Sequence, residues 1–319
     1  MPLHPTIAAA IRATSDLPGY ESLPIADARR RAKQGYVFPT KSAVGSVEDR
    51  QIELRDRRVG IRIYRPGSEQ RLPAIVFFHG SGFCLLDLDT HDEICRFLCR
   101  NGRCVVVSVD YRLAPEWKFP AGPDDAFDAS EWVFGNAAAL GIDDTQIVLA
   151  GDSAGGNIAI VTALRRKAQG LSATSALLLF YPVTDHYDAG HRSYDQFRQG
   201  FGLTAHAMRW GWDMYLDDLS ASSQPLVSPN RTDLAGLPPA YLQIAEYDVL
   251  RDEGRQFADR LRQAAVPTFS HYAEGLNHGY LRWIGQIDVA TSWALHACAW
   301  LQSHWNGQQS NHNGWAENA

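Results

Sequence analysis

The stretch that most constrains this chain runs from Gln146 to Gln169. Ile147-Val148-Leu149-Ala150 is a short apolar run of the kind that forms a buried strand, and Gly155 onward reads as a helix. Between them lies Gly151-Asp152-Ser153-Ala154-Gly155-Gly156, with one hydroxyl and a glycine two positions before and two after it. A strand turning this sharply into a helix needs strained backbone angles, and a side chain at either glycine would collide with a neighbouring element. Such a turn presents its serine at the apex, where it can act as a nucleophile. The same Gly-rich turn can also bind phosphate or do no chemistry. The rest of the chain decides what Ser153 is for.

Residues 1–45 mix short helical patterns with Pro and Gly breaks and contain no core strand. From Val47 the period changes: Ile52 and Leu54, then Val59, Ile61 and Ile63, alternate with polar residues. With a turn near Asp56–Arg58 this predicts a half-exposed antiparallel hairpin. Continuous apolar runs follow at Ala74–Phe78, Val105–Val109, Ile147–Ala150, Ala176–Tyr181 and Tyr241–Ala245, the pattern of strands buried on both faces. Helical stretches at Thr90–Asn101, Asp124–Ala138 and Asn157–Gln169 lie between them. A helix around Glu253–Ala264, a strand at Thr268–Tyr272 and a helix over Gln286–Leu301 complete the order. The alternation predicts a doubly wound, mostly parallel α/β sheet with an antiparallel edge at the start. Between Pro182 and Pro239 no strand is predicted, but Phe197, Phe201, Trp210, Trp212 and Tyr215 are present. An excursion of this length in a compact fold is usually functional.

At 319 residues and 45% apolar, the chain can bury a full core. A formal net charge of −6 offers nucleic acid or an anionic membrane no electrostatic attraction. The amino terminus lacks a basic region and a long apolar run, and no apolar run is long enough to span a bilayer. The five cysteines are odd in number and form no C-x-x-C pair, which points to free thiols in a reducing compartment. The expectation is a cytoplasmic protein without a metal site.

A serine hydroxyl is a weak nucleophile that needs a base, a group to orient that base, and donors for the oxyanion that forms. In a sheet of this order those groups collect at the carboxyl ends of strands. His278 follows the last strand and is the candidate base. His271 lies inside that strand, while His91, His186 and His191 read as ordinary surface polarity. Asp248, at the turn leaving Tyr241–Ala245, is the candidate orienting acid, with Glu246 as its rival. Asp252 and Glu253 fall at a helix start, where acids commonly complement the dipole. For the oxyanion, the loop His79-Gly80-Ser81-Gly82-Phe83 follows the first parallel strand. The backbone N–H groups of Ser81, Gly82 and Ala154 are assigned to the hole, and His79 and Gly80 to supporting the loop. Losing one such donor typically costs about 3–4 kcal/mol of transition-state stabilisation.

These segments, with Asp110-Tyr111-Arg112-Leu113-Ala114-Pro115-Glu116 and Asp248-Val249-Leu250-Arg251-Asp252-Glu253, resemble the hormone-sensitive-lipase-like branch of α/β-hydrolase esterases over roughly residues 45 to 302. The resemblance implies an α/β-hydrolase sheet of about eight strands with a helical cap, acting on short to medium acyl esters without a cofactor. It implies an amino-terminal cap segment over 1–45 and a cap insertion over 185–225, on a core of 46–184 and 226–302. It makes Asp110, Tyr111, Arg112 and Glu116 structural, and relatives that often dimerise leave a homodimer open. Residues 303–319, rich in Asn, Gln, Gly and His, read as a disordered tail.

Three positions depart from the family pattern. Ser81 replaces the middle glycine of the oxyanion loop, Val249 replaces the proline after the acid, and Tyr280 stands where phenylalanine is common. Ser81 is expected to restrict the loop and place a hydroxyl near the substrate. An amidase, lactonase or deacetylase would use the same triad, and a non-catalytic small-molecule-binding protein is the reading from a different class. A dinucleotide-binding oxidoreductase lacks its G-x-G-x-x-G after the first parallel strand.

Overall fold

A computed structural model describes residues 1–67 and 71–309. The amino-terminal segment carries helices α1 (Pro5–Ala13) and α2 (Ile25–Gln34). Strands β1 (Ser46–Glu53) and β2 (Arg58–Arg65) form the hairpin the alternation predicts. The buried runs become β3 (Leu72–Phe78), β4 (Val105–Asp110), β5 (Ile142–Asp152), β6 (Ala176–Phe180) and β7 (Ala240–Tyr247), followed by β8 (Thr268–Asn277). One sheet joins all eight in the order β1-β2-β4-β3-β5-β6-β7-β8. β1–β2 and β2–β4 are antiparallel and the remaining pairs parallel.

Helices α3 (Asp92–Gly102), α4 (Ala121–Gly135), α5 (Ala154–Ala168), α8 (Arg251–Gln263) and α9 (Asp288–Gln309) connect or close the strands. Successive side chains of a strand point to opposite faces. Ala74, Val76 and Phe78 of β3 therefore join one core with residues of α4, α5 and α8. Ile75 and Phe77 join the other, against α3, α9 and Ile7 of α1.

The excursion after β6 holds the short helix α6 (Arg192–Gln196) and α7 (Ala205–Tyr215), with 3₁₀ turns around them and no strand among the described residues. Its aromatic residues form a third apolar cluster with Phe83, Cys84, Ala154, Val249 and Leu250, which sit at the carboxyl ends of the strands.

At the far end, α9 runs seven residues into the segment expected to be a disordered tail from Ser303. Trp305 is buried in the core, and His304 Nε2 lies 3.0 Å from Ser175 Oγ. The polar composition of the segment hides one apolar anchor that continues the buried stripe of Ala297 and Leu301. The rest of the expected tail, 310–319, lies outside the described residues.

Candidate active site

Strand β3 pairs with β5 so that Phe78 lies opposite Gly151. The loop leaving β3 and the turn leaving β5 are therefore neighbours. Ser153 sits at the apex of that turn with φ 55° and ψ −122°, and its N–H donates to Phe180 O of β6, the neighbour of β5 on the side away from β3, at 2.9 Å. A Cβ at Gly155 would meet the carbonyl oxygen of Phe78, and one at Gly151 would meet the carbonyl of Gly155. Backbone oxygens cannot swing aside as a flexible side chain can, so both positions require glycine.

His278 leaves the end of β8 and Asp248 the end of β7. His278 Nε2 is 2.8 Å from Ser153 Oγ, and Nδ1 is 2.7 Å from Asp248 Oδ2. Ionised Asp248 can only accept, so Nδ1 carries the proton and the Nε2 lone pair faces the serine hydroxyl. The other Asp248 oxygen accepts the Leu250 N–H at 2.9 Å, and Asp248 is 2% exposed. Tyr181 sets its ring edge-on to the imidazole at 4.8 Å. The rival acid is excluded by geometry: Glu246 accepts the Gly275 N–H at 2.6 Å and lies 3.6 Å from the terminal amine of Met1. The three predicted triad residues are thus brought together.

Among the described residues, no acceptor takes the backbone N–H of Ser81, Gly82 or Ala154. The loop that carries the first two is fastened at several points. Gly80 N–H donates to Asp152 Oδ1 at 2.7 Å, and a Cβ on Gly80 would run into that carboxylate. His79 stacks on Tyr111 with ring centroids 4.5 Å apart, and its carbonyl accepts the Tyr111 hydroxyl at 2.6 Å. Burial and the neighbouring His91 push the His79 imidazole down to about 4, so it is neutral at physiological pH. Both residues sit where a support for the loop would sit.

Ser81 corrects an expectation. Its hydroxyl does not face the substrate side. It lies 2.8 Å from Tyr111 Oη and accepts the Phe83 N–H at 2.9 Å. The Cβ brings no left-handed strain either, because the positive φ angles fall on Gly82 (51°) and Phe83 (66°). The resemblance made Tyr111, Arg112 and Glu116 structural, and their contacts are of that kind. Arg112 grips buried Asp125 through two 2.8 Å bonds, and Glu116 pairs with Arg29 of α2.

The three histidines read as surface polarity are a second correction. His91 is fully buried, with Nε2 3.2 Å from Asp152 Oδ1. His186 is buried edge-on to Trp212, and His191 pairs with Asp185. His91 meets Asp152 and His186 meets Trp212 on other elements, which neighbouring residues do not announce. Sequence reasoning also passed over Asp152 and Arg29. Asp152 is buried, yet His91 and the Gly80 N–H hold its carboxyl below the usual range against the opposing effect of burial. Arg29 donates to the carbonyls of Cys84 and Ala114 as well as to Glu116, tying α2 to the chain just beyond the oxyanion loop.

From the other side, α7 closes on the same loop. Phe83 stacks on Tyr215 at 4.0 Å and contacts Trp212 at 4.8 Å, and Gly211 packs against the Gly82 carbonyl.

A serine at a strained strand–helix turn, bonded in series to a histidine and an aspartate from two further strand ends, defines a serine hydrolase of the α/β-hydrolase type. The profile of the alpha/beta hydrolase fold family matches residues 75–282. An arylesterase of Saccharolobus solfataricus is 38% identical over 245 residues, 76% of this chain and 79% of that protein. An ethyl acetate hydrolase of Pseudomonas putida is 33% identical over 81% of this chain and 83% of its own length. Among solved structures, a hyperthermophilic esterase from the archaeon Pyrobaculum calidifontis superposes with a TM-score of 0.92 at 35% identity, covering 95% of this chain and 99% of that one. The chain belongs to the α/β-hydrolase family, in its hormone-sensitive-lipase-like carboxylesterase branch.

Proposed function

We propose that this protein is a carboxylesterase that cleaves small-molecule esters of short to medium acyl chains through an acyl-enzyme on Ser153. The observation that carries the reading is the unbroken relay from Asp248 through His278 to Ser153, at 2.7 and 2.8 Å. As Ser153 Oγ attacks the ester carbonyl, its proton passes to His278 Nε2, and Asp248 steadies the imidazolium. The carbonyl oxygen becomes an oxyanion facing the N–H groups of Ser81, Gly82 and Ala154. Collapse of the tetrahedral intermediate expels the alcohol, which takes the proton from His278. Water then enters with His278 again as base and releases the acid.

In the same reading, 1–45 and 185–225 form the cap that shapes the acyl and alcohol pockets. The support is their joint grip on the oxyanion loop through Arg29, Tyr215 and Trp212. Five buried free cysteines suit a reducing, cytoplasmic setting. No described helix is long and apolar enough to cross a membrane.

The test is active-site labelling with an organophosphonate combined with a panel of p-nitrophenyl esters. The adduct is expected on Ser153, Ser153→Ala should lose about 10⁴-fold or more in kcat, and the shorter acyl chains should turn over fastest. Labelling at another residue, or full activity in Ser153→Ala, overturns the mechanism. A preference for acyl chains of about twelve carbons or more overturns the substrate range.

A further inference from the structure

We propose that His91 is a positioning residue that works as an imidazolium, and that the oxyanion loop keeps its active shape only while both His91 nitrogens carry protons. This rests on the reading of Ser153 as nucleophile and of the Ser81 and Gly82 amides as oxyanion donors.

His91 Nδ1 lies 3.0 Å from Thr90 Oγ1. The single Thr90 hydroxyl proton goes to the Asp87 carbonyl at 2.7 Å, and the same oxygen accepts the Asp87 N–H at 3.0 Å. With its proton committed, Thr90 Oγ1 can only accept from the ring, so Nδ1 donates. On the other side, Nε2 faces the Asp152 carboxylate at 3.2 and 3.5 Å, another acceptor, so Nε2 donates as well. Removing the Nδ1 proton would require Thr90 to turn its hydroxyl from the Asp87 carbonyl to the ring, giving up that 2.7 Å bond.

The remaining neighbours supply no second negative charge against the ring. Tyr36, from the amino-terminal segment, sits with ring centroids 5.3 Å away, and burial keeps its phenol protonated. His79, on the oxyanion loop, is 5.5 Å away and neutral; Phe77 of β3 is apolar. Tyr181, following β6, directs its hydroxyl to Asp152 Oδ2 at 3.4 Å. In its own loop and helix, Asp87 pairs with Lys33, Asp92 with Lys41 and Arg96, and Glu93 with Ser42.

The pair matters because Asp152 Oδ1 also holds the Gly80 N–H at 2.7 Å, one residue before the oxyanion amides, while Asp152 itself precedes Ser153. A buried carboxylate that loses its cation is an uncompensated charge, and its remaining bond on this side is the one to the Gly80 N–H. The two histidines therefore act with opposite sign. His278 must be neutral to accept the proton of Ser153, so kcat should fall on the acid side. His91 must keep both of its protons, so kcat should also fall on the alkaline side.

The experiment measures kcat and KM from about pH 5 to about pH 10 for wild type, His91→Gln and Asp152→Asn. Each substitution is expected to lower kcat about tenfold, a fraction of the loss of a whole oxyanion donor. KM should stay within about threefold, and the alkaline limb should disappear while the acid limb remains. Variants that are still labelled by phosphonate on Ser153 but keep the wild-type alkaline limb overturn this proposal and leave the nucleophile assignment standing. Activity in Ser153→Ala would instead overturn the assignment on which it rests. Should the variants not fold, nitrogen NMR of histidine-labelled wild type decides. Two protonated nitrogens on His91 at the pH of full activity are expected, and a neutral tautomer there overturns the proposal.

Discussion

Ser81 shows how a side chain can enter an oxyanion loop without obstructing it. The hydroxyl takes the Phe83 N–H and passes its own proton towards Tyr111, whose proton in turn reaches the His79 carbonyl. Glycine at this position would leave a buried amide without its acceptor, a loss of about 1–3 kcal/mol. Ser81→Gly, although it restores the family residue, should therefore lower kcat several-fold with little change in KM, and Ser81→Ala should behave the same way. Steady-state kinetics of both variants check this, and an unchanged kcat in both would show that the chain of bonds holds nothing in place. The same residue marks a boundary of what the sequence can show. Ser153, Asp248 and His278 are legible because each follows its own strand and the strands are apolar runs. The orientation of the Ser81 hydroxyl depends on Tyr111, 30 positions away, and the burial of His91 depends on Asp152, 61 positions away. Neither partner leaves a periodic signal around the residue it meets.

At the scale of elements, the oxyanion loop lies between α2, which reaches it through Arg29, and α7, which reaches it through Gly211, Trp212 and Tyr215. Gly211 is the tightest of these contacts: a Cβ there would stand 2.9 Å from the Gly82 carbonyl oxygen. Two effects compete in Gly211→Ala. Alanine favours the helix by about 1 kcal/mol over glycine, but the added methyl must push either α7 or the loop that bears the Gly82 amide. Because the obstacle is backbone, the steric effect governs activity. The variant should keep its helical circular dichroism and lose about tenfold in kcat/KM; wild-type kinetics would show that α7 yields freely. The excursion itself was legible as a segment without strands and with clustered aromatic residues. Its helix α7 begins where the Thr204 hydroxyl accepts the Ala207 N–H at 3.0 Å, but no residue near α7 signals that Gly211 will meet Gly82. The overrun of α9 past Ser303 was hidden for a related reason, since one buried Trp305 outweighs the polar residues around it.

At the scale of the whole molecule, the sheet places every candidate group at the carboxyl ends of its strands, and the pH dependence of stability has a contributor just beside them. Glu253 is fully buried at the start of α8. Its Oε1 accepts the Thr184 and Asp185 N–H groups, and Oε2 finds no partner among the described residues. Burial raises its carboxyl well above the ordinary value of 4.5, more than those two bonds lower it. Above that ordinary value the unfolded chain has released a proton that the native state keeps, so this group's contribution to stability declines as pH rises through the interval. Glu253→Gln keeps the acceptor oxygen and removes the titration. Its Tm should exceed wild type by about 2–4 °C near pH 8 and by less near pH 5. Thermal unfolding at both values tests the sign, and an equal or lower Tm near pH 8 contradicts it.

The five cysteines are all buried, and for Cys84, Cys99 and Cys298 burial pushes the thiol up to about 12. A thiol so far from ionising is a poor nucleophile towards maleimides. The native chain is thus close to a blank background for cysteine chemistry, with no need to engineer its own thiols away. A single cysteine placed at exposed His206 on α7 would be the one site such a reagent meets. A fluorophore there would report on the helix that touches the oxyanion loop, during turnover and in an otherwise unaltered enzyme.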